Sequence, residues 1–237
     1  MFTVLTWNLN VGLAGHEDVA PVIRELNADL VLLQEVGEVW EAALRPALQD
    51  DYPHMLFEGE GAGGLAVLSR SPLSDAAVTE SVVDWFPALR FTVDAPWGPM
   101  EAMNVHLVPP FTDGGRLLLG WWTRHDDRKR EAQHHLSSGA VELMAGDFNA
   151  NEHERALRWL RDEHSLRSVL PEHHPRAKTW RWPHLPAWRL DHVMVDDCLV
   201  AVDAEVFEVG PSDHWPVLVT LQNVDPEDNA ACHPSAR

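Results

Sequence analysis

Residues 29–36, DLVLLQEV, contain a short continuous apolar run, and the acidic residue Glu35 lies near its end. Such a run is typical of a β-strand that is covered on both faces. Helical patterns flank it, because apolar residues recur at 3.6-residue spacing between residues 17 and 26 and again between residues 38 and 48. A doubly covered strand between two helices predicts an α/β architecture.

The same mixture of patterns continues to the end of the chain. The segments with strand patterns are FTVLTWN (2–8), HMLFEG (54–59), GLAVLSR (64–70), ALRFTVDAP (88–96), MEAMNVHLV (100–108), VELMAGDFN (141–149), RLDHVMV (189–195), LVAVDAEVFEV (199–209) and PVLVTLQ (216–222). Residues 116–136 have the pattern of a long polar helix, and residues 152–161 that of a shorter helix with Asn151 as its N-cap. No boundary divides this order, so we predict one α/β domain with mixed sheets over residues 1–223 and a disordered tail over 224–237.

The charge of the chain is strongly negative, with a formal net charge of -19. Such a chain is repelled by phosphate backbones and anionic membranes, which argues against a protein that binds nucleic acid by bulk electrostatics. Segments 116–135 and 172–190 differ from the rest, because they hold nine of the 18 Lys and Arg but only four of the 37 Asp and Glu. They also hold five of the 11 Trp, so any contact with a phosphate-bearing ligand is expected there.

The location is predicted from what the chain does not contain. No apolar run approaches the length that spans a bilayer, and the N-terminus does not have the pattern of a signal peptide, so we expect no membrane anchor. The only cysteines are Cys198 and Cys232, and the second lies in the polar tail. We therefore expect no structural disulfide and a reduced, cytoplasmic setting.

Polar residues of the kinds that bind metals or move protons recur where apolar strands end. They are Asn8, Glu35, His106, Asp147, Asn149, Asp191, Asp213 and His214. Each one alone has a structural explanation as a turn residue, a strand end or a buried histidine. Together they favour a site, because loops at strand ends are where α/β folds collect their chemistry. The oxygen ligands suit Mg²⁺ or Mn²⁺, and no Cys/His cluster has zinc spacing.

Seven short motifs in this order resemble one enzyme family. TWNLN, LLQEV, GLAVLSR, NVHL, GDFNA, RLDHVMV and SDHWPV are similar to motifs of the endonuclease/exonuclease/phosphatase superfamily, which includes DNase I-like nucleases, phosphatases and sphingomyelinases. The resemblance runs from Asn8 to Pro216. It implies a four-layered sandwich, with two mixed β-sheets packed face to face and helices on the outside, and a metal-dependent phosphoesterase.

The resemblance also implies a role for each matched residue. Glu35 would be the main metal-binding carboxylate, with Asn8 beside it and Asp213 as a further carboxylate near the metal. Asp147 would orient or deprotonate the attacking water, and Asn149 would hold the phosphate or the nucleophile. Asp191 would accept a hydrogen bond from His214, which would bind a phosphate oxygen or act as acid or base. The catalytic set is completed by His106, which matches the histidine of the DNase I-like and phosphatase branches.

The substrate is a phosphoester, and the residues favour a nucleic acid. Trp180 and Trp182 are expected to line the cleft, where rings can stack on bases. The neighbouring cations Arg176, Lys178 and Arg181 can bind phosphates, and Arg70 of GLAVLSR matches a family motif. These tryptophans and arginines also allow a structural interpretation, as core and solvated residues.

Two other functions remain open at this point. A phosphatase or a phospholipase-type or sphingomyelinase-type esterase acting on a small or lipid phosphate is compatible with the same motifs, and the negative charge mildly favours a small substrate. A catalytically inactive binding module is disfavoured, because the full set of chemical groups is present. The sequence does not indicate an oligomeric state, the number of metal ions or the polarity of attack.

Overall fold

The computed structural model describes residues 1–12, 18–110 and 123–224. The helices are α1 (Val19–Leu26), α2 (Glu38–Leu48), α3 (His125–His135), α4 (Arg155–His164) and α5 (Leu170–His173). The strands are β1 (Phe2–Asn8), β2 (Leu30–Gln34), β3 (His54–Glu58), β4 (Leu65–Ser69), β5 (Leu73–Thr79), β6 (Ala88–Ala95), β7 (Gly98–His106), β8 (Leu143–Asp147), β9 (Arg167–Ser168), β10 (Asp191–Val195), β11 (Leu199–Val206) and β12 (Val217–Asn223).

The strands form two mixed sheets of six strands each. The first sheet has the order β11-β12-β1-β2-β4-β3, and the second has the order β5-β6-β7-β8-β10-β9. Each sheet contains one parallel pair near its centre, β1 with β2 in the first sheet and β7 with β8 in the second. The other neighbouring strands run antiparallel.

Apolar residues on alternate positions of the strands build the layers. In β1, Phe2 and Val4 point into a core shared by the two sheets, whereas Leu5 and Trp7 point into a second core with helices α1 and α2. A third core lies between the second sheet and helices α3 and α4. Because strand side chains alternate between faces, one apolar sequence supplies both neighbouring layers, and the predicted four-layered sandwich is confirmed.

The core shared by the two sheets becomes polar towards the carboxyl ends of the central strands. Gln34 Nε2 donates to Asn104 Oδ1 at 2.7 Å, and Asn104 Nδ2 donates to the carbonyls of Leu33 and Ala66 at 2.9 and 3.0 Å. These buried hydrogen bonds join the sheets and satisfy polar groups that would otherwise be costly to bury. They form the polar end of the core, on which the site described below is built.

Some element boundaries differ from the sequence-based predictions. Helix α4 begins at Arg155 and not at Glu152, because Asn151 accepts a hydrogen bond from His153 N at 2.9 Å and so forms a turn that precedes the helix. Strand β5 was not predicted, since its central residues are exposed and have no apolar alternation. The first part of the predicted helix 116–136 lies outside the described residues, as does the predicted tail apart from Val224.

The prediction of no disulfide is wrong, because Cys198 is disulfide-bonded and the described part of the chain has no free cysteine. Cys232 lies outside the described residues. The cytoplasmic location stays a prediction. Among the described helices, none is long and apolar enough to cross a membrane.

Candidate active site

The register of the central strands brings the ends of the two sheets together. In the first sheet Asn8 pairs with Gln34, which places Asn8 beside Glu35. In the second sheet Asp147 pairs with His106 on one side and with Asp191 on the other. Because carboxyl ends of parallel neighbours lie at the same edge of a sheet, residues far apart in sequence form one cluster.

Glu35 and Asp147 come from opposite sheets and meet at one amide. Asn8 Nδ2 donates to Glu35 Oε1 and to Asp147 Oδ2, both at 3.1 Å, and Asn8 Oδ1 accepts from Asn10 N at 2.9 Å. Glu35 has a φ of 59°, a left-handed conformation that is uncommon outside glycine. The second carboxylate oxygen of Glu35, Oε2, accepts a hydrogen bond from Val11 N at 2.9 Å. The strained backbone and these contacts hold the two carboxylates side by side.

Asp147 is held by the loop that follows strand β8. Asn149 N donates to Asp147 Oδ1 at 2.8 Å, and Asn149 Nδ2 donates to Leu107 O at 2.9 Å. Gly146 precedes Asp147 with a φ of 146°, and a Cβ at this position would collide with the Val105 carbonyl of strand β7. Only glycine therefore allows β7 and β8 to pack this closely, so the Gly-Asp pair is part of the strand and not of a turn.

A buried His-Asp pair lies on the other side of Asp147. His214 Nδ1 is 2.9 Å from Asp191 Oδ2 and 3.1 Å from Asp191 Oδ1, and His214 Nε2 is 3.8 Å from Asp147 Oδ2. A proton on Nδ1 is therefore held by Asp191, which directs Nε2 towards Asp147. Thr179 Oγ1 accepts from the backbone N of Asp191 at 3.0 Å and so fixes the start of this strand.

The segment that carries His214 is anchored to strand β1. Ser212 Oγ donates to Asn8 O at 2.8 Å, and Trp7 Nε1 donates to His214 O at 2.9 Å. Gly210 has a φ of 85° and packs against the Trp7 ring, where a Cβ would collide with it. The bend at Gly210 therefore directs His214 into the cluster before strand β12 begins.

The second histidine of the cluster is held neutral. His106 Nε2 lies 3.5 Å from Asp147 Oδ2, and His106 Nδ1 lies 3.1 Å from the Ala62 carbonyl. The Phe86 ring stacks on the imidazole with a centroid distance of 4.1 Å. Burial lowers the pKa of His106 to about 4, although Glu35 acts against it. At neutral pH His106 is therefore uncharged and can donate from only one ring nitrogen.

The pKa values of Asp147 and His214 shift upwards, in the opposite direction to that of His106. Burial raises the pKa of Asp147 to about 7, and the Asp191 carboxylate adds to this rise. Burial also acts to lower the pKa of His214, but the carboxylates of Asp191 and Asp147 outweigh it and raise that pKa to about 10. His214 is thus an imidazolium at neutral pH. Its positive charge acts to lower the pKa of Asp147, but burial outweighs this effect.

The donor chemistry fits a hard divalent cation. Oxygen ligands are available on Glu35 and Asp147, whose carboxylates both accept from the Asn8 amide. A second set consists of Asp147, Asp191 and His214, whose ligand atoms lie within 4.8 Å of one another. A cation beside Asp147 would stabilise its ionised form and so relieve the electrostatic cost of burying it.

Glu35, His106, Asp147 and His214 form the floor of a cavity of about 590 Å³. Its described lining residues are Asn10, Glu35, Ala62, Trp85, Phe86, His106, Pro109, Pro110, Asp147, Asn149, Trp180, Trp182, Leu185, Trp188, Leu190, Asp213 and His214. No described lysine or arginine lines it, and most of the wall is aromatic or apolar. This size is that of a small-molecule site.

The residues expected to bind substrate divide into two groups. Trp180 and Trp182 line the cavity, and Trp180 Nε1 donates to Asp213 Oδ2 at 2.9 Å. The Trp180 ring is stacked between Trp188 and Trp182, at centroid distances of 5.4 and 6.4 Å. Asp213 also accepts from Asn10 Nδ2 at 2.9 Å, so both of its carboxylate oxygens have donors.

The four expected cations do not line the cavity. Arg70 donates to the backbone and side chain of Asn27, and Arg181 lies over the Trp215 ring at 5.2 Å. Arg176 is exposed, and Lys178 lines a different groove. Their contribution to substrate binding stays a prediction.

Two elements of the site were not predicted from the sequence. Residues 58–64, EGEGAGG, form a tight loop whose Ala62 carbonyl faces His106, and no strand-end pattern marks this loop. Trp85 and Phe86 form one side of the cavity but lie in an irregular segment. The density of glycine in residues 58–64 is the signal that could have indicated a close approach of backbone.

Comparisons with known proteins agree with this geometry. The family model described as "Endonuclease/Exonuclease/phosphatase family" matches residues 5–214. A solved endonuclease/exonuclease/phosphatase from Beutenbergia cavernae is 24% identical with a TM-score of 0.75, and the match covers 94% of this chain and 71% of that one. No curated protein sequence matches significantly.

Two solved structures of enzymes that act on DNA are also similar in fold. An AP endonuclease from Archaeoglobus fulgidus is 19% identical with a TM-score of 0.72, over 93% of this chain and 99% of that one. A 3' phosphatase from Neisseria, bound to a product DNA hairpin, is 18% identical with a TM-score of 0.68, over 94% and 100%. At these identities the likeness concerns the fold.

Proposed function

The chain belongs to the endonuclease/exonuclease/phosphatase family, and from this membership we propose that it is a divalent-metal-dependent phosphodiesterase that cleaves a nucleic acid strand. The observation that carries the proposal is the convergence of Glu35, Asp147 and His214 on one cavity floor, with Asp191 holding His214 from behind at 2.9 Å. Phosphoester hydrolysis requires an oriented water, a proton donor and stabilisation of negative charge. The cluster contains groups for each requirement.

The metal is proposed to be Mg²⁺ or Mn²⁺, held by Glu35 and Asp147 with Asn8 and Asp213 near it. The alternative set that includes Asp191 and His214 is less suitable, because His214 Nδ1 is already 2.9 Å from Asp191 and the pKa of His214 is raised. When bound, the metal would offset the repulsion between an anionic nucleophile and an anionic phosphate.

The side chains supply orientation and protons. Asp147, in its ionised form, accepts a proton from the attacking water, and Asn149 N holds the other carboxylate oxygen at 2.8 Å. The His214 imidazolium donates from Nε2 to a phosphate oxygen or to the leaving group, while Asp191 keeps the proton on Nδ1. His106 is neutral, and its one ring proton lies on Nδ1, which donates to the Ala62 carbonyl at 3.1 Å, so this histidine adds no charge to the site.

Nucleic acid is the favoured substrate for two reasons. The aromatic residues Trp180 and Trp182 lie in the cavity wall, where unpaired bases can stack. Two of the proteins with a similar fold are an AP endonuclease and a 3' phosphatase bound to DNA. Both observations support the proposal at the level of substrate class.

A second candidate is a phosphatase or a phospholipase-type esterase on a small or lipid phosphate. The observation in its favour is the lining of the cavity, which has no lysine or arginine among its described residues. A polyanion bound by many phosphate contacts requires such cations, whereas a small apolar phosphoester does not.

The test compares substrates in one preparation. The purified protein is incubated with Mg²⁺ or Mn²⁺ and, in parallel, supercoiled DNA, single-stranded DNA, RNA, sphingomyelin, inositol phosphates and bis(p-nitrophenyl) phosphate. EDTA and the Asp147→Asn variant are the controls. Cleavage of none of these, or cleavage that both controls leave unchanged, contradicts the hydrolase proposal. Phosphate release from monoesters with intact nucleic acids replaces the first candidate with the second.

A further inference from the structure

The cavity has apolar walls on both sides of its catalytic floor. On the His106 side the wall contains Trp85 and Phe86, with Phe86 stacked on the imidazole. On the His214 side it contains the stacked tryptophans, of which Trp182 is 50% exposed and so offers a free ring face. Flat rings on both sides favour an unpaired base or another planar group next to the scissile phosphate.

A second groove, of about 640 Å³, adjoins the cavity on the His106 side. The two depressions share Ala62, Trp85 and Phe86, so the pair Trp85–Phe86 forms a ridge between them. The lining of the second groove is Glu58, Gly59, Glu60, Ala62, Gly63, Val78, Glu80, Trp85, Phe86 and Pro87. It therefore contains three carboxylates and no described cation.

Three exposed carboxylates line the second groove, Glu58, Glu60 and Glu80. All three side chains face solvent, and none is ion-paired to a described residue. One described cation lies on the ridge: the Arg124 guanidinium is 5.7 Å from the centroid of the Trp85 ring and is ion-paired with Asp127 at 3.0 Å. Each phosphate of a nucleic acid strand carries one negative charge. A phosphate and a carboxylate repel each other over distances up to the Debye length, which is roughly 8–10 Å at physiological salt. A strand that crossed the ridge would place consecutive phosphates within this range of the acidic groove.

Resting on the proposed function, we infer that the protein attacks nucleic acid strands from an end and not internally. The strand lies on the His214 side, its terminal unit occupies the cavity between Phe86 and Trp182, and the chain stops at the Trp85–Phe86 ridge. The acidic groove acts by excluding a strand that continues past the site, and not as a ligand-binding site. An internal phosphodiester can reach the floor only if the strand continues across both sides of the cavity.

The experiment uses one single-stranded DNA sequence, and one RNA sequence, each in linear and in covalently closed circular form. With Mg²⁺ or Mn²⁺ we expect the linear form to be degraded at least roughly tenfold faster than the circle. Bis(p-nitrophenyl) phosphate reports the chemistry of the floor independently of strand length, and Asp147→Asn excludes a contaminating nuclease.

A charge-neutral variant tests the cause of the difference. The triple substitution E58Q/E60Q/E80Q, at exposed positions, should raise cleavage of the circle about fivefold and leave bis(p-nitrophenyl) phosphate hydrolysis unchanged. The matched control E25Q/D50N/E163Q removes three exposed carboxylates that line neither the cavity nor the second groove, and it should change neither rate.

Each outcome separates the inference from the proposed function. Equal cleavage of circle and linear strand, or a circle that stays resistant in the triple variant, overturns the inference and leaves the nuclease proposal standing. Hydrolysis of the small diester with every nucleic acid intact overturns the inference together with the nucleic acid substrate. Loss of all hydrolysis overturns the proposed function itself.

Discussion

Replacement of Asp191 by Asn changes one charge in the buried centre of the site. Both carboxylate oxygens of Asp191 lie within 3.1 Å of His214 Nδ1, and the side chain is fully buried. Asn has the same shape, but it carries no charge and its amide can donate to Nδ1. The substitution therefore leaves the packing intact, while the proton of the neutral imidazole is shifted to Nε2.

The magnitude follows from the balance of forces on His214. Burial acts to lower its pKa, and Asp191 is the largest of the groups that raise it to about 10. Without that charge we expect the pKa of His214 to fall, so the imidazolium that serves as the acid is less populated at neutral pH. General acid catalysis by a side chain contributes about 10²- to 10⁴-fold to a rate, and we expect a loss of kcat/KM in that range.

The assay measures kcat/KM for bis(p-nitrophenyl) phosphate against pH, in wild type and variant. A second readout is the titration of the His214 imidazole by NMR in the metal-free protein, which should move to lower pH. The matched control is Asp196→Asn, directly after the other end of the same strand, where Asp196 Oδ1 accepts from Cys198 N at 2.9 Å. The control should keep full activity.

Two results would refute this reasoning. A kcat/KM of Asp191→Asn within about threefold of wild type would show that the His-Asp pair does not take part in the rate-limiting step. A large loss of activity with an unchanged His214 titration would show that Asp191 acts by another route, such as direct metal binding.

Three further outcomes are expected. Addition of Mg²⁺ should raise the Tm of the wild type but not of Glu35→Gln, and chelation should abolish hydrolysis. A Tm increase of equal size in both proteins would place the ion elsewhere. Trp182→Ala should raise KM for a single-stranded oligonucleotide about tenfold with kcat nearly unchanged. The control Trp159→Ala on helix α4 should change neither constant, and an equal rise of KM in both variants would contradict a stacking role for Trp182. Burial raises the pKa of Glu131 to about 7, above its unfolded value, so its contribution to stability is complete at low pH and is lost as pH rises through about 7. From about pH 5 to about pH 8 the wild type should therefore lose up to about 3 kcal/mol of unfolding free energy relative to Glu131→Gln, which urea denaturation at several pH values measures; parallel pH profiles would contradict this assignment.

Much of the fold could be predicted from local patterns. The apolar run at residues 29–36 predicts a strand covered on both faces, and β2 is indeed buried at all five of its positions. Helix α2 occupies the predicted residues 38–48, because its apolar spacing is a property of neighbouring residues. Strand β5 lacked such a signal, since an exposed edge strand does not need apolar alternation to form its ladder.

The candidate site residues could be named, but their meeting could not be deduced from spacing. Asn8, Glu35 and Asp147 lie at the ends of apolar strands, a position that ordinary turn residues also occupy. Their roles were inferred from the resemblance to a family. The loop at residues 58–64 and the aromatic pair Trp85–Phe86 escaped this reasoning, because neither lies at the end of a predicted central strand. The expected cations were named from the composition of residues 172–190 and, for Arg70, from a family motif, and neither determines the direction in which a side chain points.

The amino-acid sequence by itself determined the layers, because the alternation of apolar side chains is local and decides which face of each strand is buried. Only the tertiary structure decided the chemistry of the floor. The register of β7, β8 and β10 places Asp147 between His106 and Asp191, and the packing of one sheet on the other brings Glu35 to the same amide. Pairing and register depend on contacts between residues distant in sequence, and the electrostatic shifts at Asp147 and His214 arise only once those contacts exclude water.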